Sequence, residues 1–150
     1  MNNIKINTGI IRNIISPDLY GVFFEDINYG GDGGLYAELI PNRSFEYYDK
    51  DGKIDKSKMC WQAIGDIKFE IESDNPINNI HTKYAHISGS SGGGIRNLGY
   101  CNAGIDVVED ECYKFSCYAR TEKPIQMLIS LVGSNEDICA QAKIDVESGE

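Results

Sequence analysis

Polar and apolar residues alternate most cleanly in the second half of the chain. Ile67, Phe69 and Ile71 interleave with Lys68, Glu70 and Glu72, which makes a strand with one dry face and one wet face. Residues 84–88 repeat the pattern, and 103–108, 113–120, 125–132 and 138–146 complete a set of short β segments. Turn-forming residues separate them at 109–110, 122–124 and 133–137. The run GSSGGG at 89–94 reads as a flexible hairpin tip. Strands spaced in this way and joined by such turns predict an antiparallel β-sandwich.

The first third has a different texture. Ile4, Ile6, Ile10, Ile11, Ile14 and Ile15 form a β-branched stretch broken at Thr8-Gly9, which reads as a hairpin or bent edge strand, and Ser16-Pro17 marks a turn. Residues 19–24 are continuously apolar, as in a strand buried on both faces, although a buried helix fits the same run. Glu25 and Asp26 follow, and 28–34 is a glycine-rich loop. Asp32 is placed to cap a short helix over about 34–40, which Pro41 would stop. After Val146 the sandwich still lacks a closing strand, so the chain reads as a part of something longer.

Composition narrows the partners. With 14 Lys and Arg against 23 acids the net charge is −9, the wrong sign for a nucleic-acid surface or an anionic membrane. A neutral partner such as a sugar is compatible with it. The longest apolar runs fall far short of the roughly 20 residues of a membrane span. The start, MNNIK, carries no apolar signal-peptide core, so the expected location is cytoplasmic. The five cysteines are scattered, odd in number and without a CxxC pair. They read as structural thiols rather than a disulfide framework, with Cys117 as a small buried apolar residue.

Candidate chemistry concentrates at Glu25. An acid directly after an apolar strand and before a glycine loop sits where barrel enzymes face their substrates, and a carboxylate there can accept hydrogen bonds from sugar hydroxyls. On pattern alone an exposed loop acid is the commoner case. The other motifs are weaker. The run 89–94 lacks the Lys-Ser/Thr of a phosphate loop. Asp49-Lys50-Asp51-Gly52 lacks the spacing of a calcium loop and reads as a turn. His81 and His86 lie five apart and would project to opposite faces of a strand, a poor metal pair. No metal ligands or cofactor are expected. Trp61, Tyr113 and Tyr118 read as core aromatics rather than sugar platforms.

Residues 19–46, LYGVFFEDINYGGDGGLYAELIPNRSFE, resemble the opening motif of the α-L-arabinofuranosidases of glycoside hydrolase family fifty-one at nearly every position. Residues 84–120 are similar, more loosely, to the jelly-roll carbohydrate-binding-like modules of many members, through NLGY, AGIDV, an acidic turn and YKFSCYAR. The resemblance implies that the first barrel strand ends at a glutamate holding the arabinose ring, here Glu25. It also implies retaining hydrolysis by two glutamates on later barrel strands. That chemistry needs carboxyls about 5 Å apart across the bond. Asn135-Glu136 falls in a hairpin turn, and adjacent Glu25 and Asp26 would face opposite ways on a strand. No catalytic pair is therefore expected in this chain.

The fold this implies is mainly β: an antiparallel jelly-roll-type β-sandwich over 45–150, preceded over 1–44 by a β-rich N-terminal arm and one short helix. By the resemblance, 19–27 would be the first barrel strand. The expected partners are an arabinose-containing oligosaccharide or polysaccharide and the rest of the parent enzyme. Unpaired apolar strands in the arm also invite a homo-oligomer. Two classes of function remain: an enzyme segment, predicted inactive alone, or a non-catalytic carbohydrate-binding or spacer module.

Overall fold

The computed structural model describes residues 4, 7–11, 13–19, 21, 25, 29–48 and 51–149. Most of the first-barrel-strand segment expected at 19–27, including Asp26, lies outside them. The architecture is mainly β and antiparallel, as the alternation predicts. The described helices are two single 3-10 turns, Pro17–Leu19 and Tyr100–Asn102. The chain divides into two compact units, 1–106 and 107–150.

The first unit is built on one long antiparallel ribbon. Strand β1 (Trp61–Ile64) pairs with β4 (Gly94–Asn97), and β2 (Ile67–Glu72) pairs with β3 (Tyr84–Gly89). The two ladders are consecutive stretches of the ribbon: Ile64 pairs with Gly94 and Ile67 with Gly89. Two residues, 65–66, therefore face four, 90–93. The glycine-rich run is not a hairpin tip. It is a bulge in mid-ribbon, held by the Ser90 amide donating to the Asp66 carbonyl at 3.2 Å. Glycine is required there because Gly65 and Gly92 have φ of 75° and 90°. The tip is the 73–83 connection.

The ribbon's inner face follows its sequence alternation. Phe69, opposite Ile87, is buried, while Lys68, Glu70 and Glu72 face Ser88, His86 and Tyr84 on the wet side. Phe45 bridges to Trp61 at 5.2 Å between ring centres and to Phe69 at 6.4 Å. Cys60 is buried beside them in the sequence. Trp61, expected in the core, is half-buried and packs on Phe45.

The second unit holds the hairpin of β5 (Ile125–Val132) and β6 (Ile138–Val146). Direct partners share a face. Ile125, Met127, Ile129 and Leu131 stand with Val146, Ile144, Ala142 and Ala140 on an apolar face. The other face carries cross-strand hydrogen bonds from Gln126 to Asp145 at 3.0 Å and from Gln141 to Ser130 at 2.9 Å. An open groove of about 400 Å³ lies between the apolar face and Ser116, Cys117 and Ala119.

Several expected elements differ. No helix forms at 34–40; an Asp32–Tyr36 bridge and turns occupy the region. The segments 103–108 and 113–120 run without ladder partners and are not strands. Tyr118 is 91% exposed and Tyr113 38%, so neither is core. Cys117 lines the groove but is exposed, leaving Cys60 as the buried thiol. In the arm, Thr8-Gly9 is a turn as expected, but the described residues on either side form no strand.

Candidate functional site

Glu25 is exposed. Four residues further on begins a loop whose geometry is tightly specified. The Leu35 amide donates to the Gly30 carbonyl and the Tyr36 amide to the Gly31 carbonyl, each at 3.0 Å, while the Gly33 amide donates to the Tyr36 carbonyl at 2.9 Å. Side chains would not fit this path. Gly33 has φ of 91°, and a Cβ there would lie 2.5 Å from the Tyr100 ring. A Cβ on Gly34 would collide with the Gly30 carbonyl.

Arg43 grips the loop from outside. Its Nη1 donates to both carboxylate oxygens of Asp32, at 2.7 and 2.9 Å. Its Nε lies 3.6 Å from Glu38, and the guanidinium sits 5.5 Å from the Tyr36 ring centre. Burial pulls the Arg43 pKa down, but the hydrogen bond and charge of Asp32, with Glu38, leave it raised overall. Asp32 therefore serves the ion pair and not a helix cap. Behind the loop Tyr29 and Tyr100 pack with ring centres 4.8 Å apart. The Tyr100 hydroxyl is buried without a hydrogen-bond partner among the described residues. Burial first, then the charge of Asp32, pushes its pKa up to about 12.

Arg43 is held in place by its neighbour. Asn42 is 1% exposed, and its Nδ2 donates to the carbonyls of Ser57 at 2.8 Å and Met59 at 2.9 Å, with Lys56 at 3.3 Å. Its Oδ1 accepts from the Tyr47 amide at 3.2 Å, and its backbone carbonyl accepts from the Trp61 indole at 2.9 Å. Glu46, the last residue of the motif, accepts from both the amide and the hydroxyl of Thr82, at 2.7 and 2.9 Å. The amide bond first, offset partly by burial, holds its carboxyl below the usual range. The resemblance marked the 42–46 stretch, but not the job of Asn42. A polar residue between a proline and an arginine gives no sign of burial.

The remaining candidates stand elsewhere. Asn28 lies outside the described residues. His86 pairs with Glu72 at 2.7 Å on the wet face of the ribbon, and the His81 amide donates to the Asn78 side chain at 2.8 Å. The Tyr84 hydroxyl lies 2.9 Å from a Glu72 oxygen and 2.5 Å from an Asp74 oxygen, with its single proton shared between the two carboxylates. Asn135-Glu136 is in the β5–β6 turn, where the Glu136 amide donates to the Gly133 carbonyl at 3.0 Å. Among the described residues no three His, Cys, Asp or Glu side chains are grouped to hold a metal ion, and no helix is long and apolar enough to cross a membrane.

The described residues thus hold a glycine loop braced by the Arg43–Asp32 ion pair and, four residues before Tyr29 in the sequence, an exposed glutamate. No family model matches the chain. An extracellular exo-α-L-arabinofuranosidase of Streptomyces chartreusis is 37% identical over 136 residues, 90% of this chain and 16% of that protein. α-L-Arabinofuranosidase 2 of Arabidopsis thaliana is 32% identical over 142 residues, 87% of this chain and 20% of that protein. The fold is shared with an arabinose-bound α-L-arabinofuranosidase of glycoside hydrolase family fifty-one. That match has a TM-score of 0.62 and 22% identity, over 85% of this chain and 21% of that one. The chain is thus similar in sequence to a segment of α-L-arabinofuranosidases, spanning 16% and 20% of the two curated relatives, and shares its fold with a member of family fifty-one.

Proposed function

We propose that this chain is the sugar-contacting segment and accessory sandwich of a retaining α-L-arabinofuranosidase that releases terminal arabinofuranose from arabinan or arabinoxylan. Glu25 accepts hydrogen bonds from the ring hydroxyls. The proton donor and the nucleophile come from outside this chain. One observation carries the choice of acid. Among the described acids of the motif, Asp32, Glu38 and Glu46 are engaged internally, the first two around Arg43 and the third by Thr82, whereas Glu25 stands exposed; Asp26 lies outside the described residues.

A hydrogen bond to a charged group contributes about 1.5–3 kcal/mol. Replacing Glu25 by Gln therefore weakens sugar binding roughly 10- to 100-fold. The test is a titration of the purified chain with arabinan-derived oligosaccharides, followed at the Glu25 amide by NMR. Binding lost in Glu25→Gln supports the assignment, and undiminished binding refutes it. The chain alone should not turn over 4-nitrophenyl α-L-arabinofuranoside; hydrolysis would show that a catalytic pair lies within it. A second reading, a carbohydrate-binding or spacer module, draws on Tyr118. Its ring is 91% exposed, as a stacking platform for sugar C–H faces would be. Binding lost in Tyr118→Ala and kept in Glu25→Gln would favour that reading.

A further inference from the structure

Tyr36 closes the glycine turn with its backbone, yet its ring is left outside. Its amide donates to the Gly31 carbonyl at 3.0 Å, and its carbonyl accepts from the Gly33 amide at 2.9 Å and the Glu38 amide at 2.8 Å. Those three bonds fix the backbone that carries the ring. The residue nevertheless stays 61% exposed. An aromatic side chain stabilises a fold through the area it buries, so this one contributes little to folding for its size.

Arg43 shapes the surroundings of the ring. Its guanidinium lies over one face, with the central carbon 5.5 Å from the ring centre, and the opposite face is open to solvent. Nη1 is engaged by both oxygens of Asp32, and Nε faces Glu38 at 3.6 Å. Nη2, with its two N–H groups, donates to none of the described residues. The Arg43 side chain is 49% accessible, so these donors reach the surface beside the ring. A neutral sugar needs this pairing, because its C–H face stacks on an aromatic and its hydroxyls accept from planar donors. Asp32 and Glu38 offset the guanidinium charge and oppose an anionic ligand.

We propose that Tyr36 and Arg43 form a saccharide-binding platform on the first unit: the ring stacks on a neutral arabinofuranosyl residue, and Arg43 Nη2 donates to its hydroxyls. Asp32 holds the guanidinium, and the three backbone bonds hold the ring, so both partners are ordered before the sugar arrives. The ligand class rests on the proposed function. The platform itself does not depend on where Glu25 lies, since every contact that builds it joins residues 31–43.

The 150-residue chain and its Tyr36→Ala, Tyr36→Phe, Arg43→Lys and Glu25→Gln variants are titrated with an arabinofuranosyl trisaccharide, followed by amide NMR shifts. A trigalacturonate serves as the anionic comparison, and the β2 and β3 amides report whether each variant is folded. Tyr36→Ala should weaken the trisaccharide about 10-fold, while Tyr36→Phe keeps the ring and should bind as wild type does. Arg43→Lys keeps a charged nitrogen for Asp32 but lacks the second planar donor, and should also bind about 10-fold more weakly. Nuclear Overhauser contacts should join the Tyr36 ring to sugar C–H protons. Wild-type affinity in Tyr36→Ala with the ribbon intact overturns the platform. Tighter binding of the trigalacturonate, or no binding of the trisaccharide by wild type, overturns it as well. If Tyr36→Ala weakens binding and Glu25→Gln does not, the platform stands and the sugar role of Glu25 fails. The converse pattern keeps Glu25 and removes the platform.

Discussion

Removing the Asn42 side chain should undo the first unit from its centre. Asn42→Ala deletes two strong donations, to Ser57 and Met59, a weaker one to Lys56 and one acceptance from Tyr47. The Ser57 bond is fully buried, and an unsatisfied buried carbonyl costs about 1–3 kcal/mol. The others are partly buried, at about 0.5–1.5 kcal/mol each. Asn42 also has φ of 52°, where alanine is disfavoured by roughly 1–2 kcal/mol and asparagine less so. The lower bounds sum to about 3.5 kcal/mol and the midpoints to about 6.5 kcal/mol, a large part of the roughly 5–15 kcal/mol that holds a typical domain together. Asn42→Gly loses the same bonds but escapes the backbone penalty, so it should be the more stable of the two by about 1 kcal/mol. That order reverses the usual ranking of alanine over glycine. The assay is urea unfolding followed by the fluorescence of Trp61, the single tryptophan, whose indole donates to the Asn42 carbonyl. A loss under about 1 kcal/mol in Asn42→Ala, or a glycine variant weaker than the alanine one, would refute the hub.

Acid should destabilise the first unit. The carboxyls of Glu46, Asp55 and Glu72 are all held low, chiefly by hydrogen bonds from the Thr82 amide, the Ser57 amide and His86 respectively. A lowered folded-state pKa gives stability that is complete above the unfolded value, near 4, and is lost as pH falls through the folded value. The thermal midpoint should therefore drop between about pH 5 and 3; a flat profile across that range contradicts the assignment. Gly99→Ala should be severe, because φ is 72° and the new Cβ would collide with the Gly104 carbonyl. Gly104→Ala meets open space at φ of 87° and should cost only the conformational penalty, about 1–2 kcal/mol. Urea midpoints showing equal losses would mean that the Gly99–Gly104 approach is not close.

What the sequence made legible follows from how far each signal reaches. Strands β2, β3, β5 and β6 are six residues or longer, enough for alternation to show. Strands β1 and β4 have four residues each, too few for a period, and their pairing is set by β2 and β3 folding back between them. The alternation at 113–120 sorts that segment's residues into faces, but a strand also needs a hydrogen-bonding neighbour, which periodicity does not reveal. The glycines of 89–94 mark a place where the chain must bend. Tip and bulge share that composition, and the ladder register distinguishes them. Asp32 looked like a helix cap because the competing ligand, Arg43, comes from eleven residues away. The site was legible only in part. Glu25 stands out in the sequence by its place after an apolar run, whereas the frame around 29–43 depends on contacts that no local pattern encodes.

That division bears on what a shared motif means. A residue can recur among relatives because it does chemistry or because the backbone has no alternative. Gly33 and Gly34 are accounted for by space and Asn42 by buried carbonyls. None of these needs a sugar to explain its presence. Glu25 is different, because an exposed carboxylate contributes little to a fold. The two groups should therefore separate under mutation. On the proposed function, changes in the frame should act through stability and leave binding in whatever fraction stays folded. On the proposed role, a change at Glu25 should leave the melting curve where it was and abolish the sugar contact.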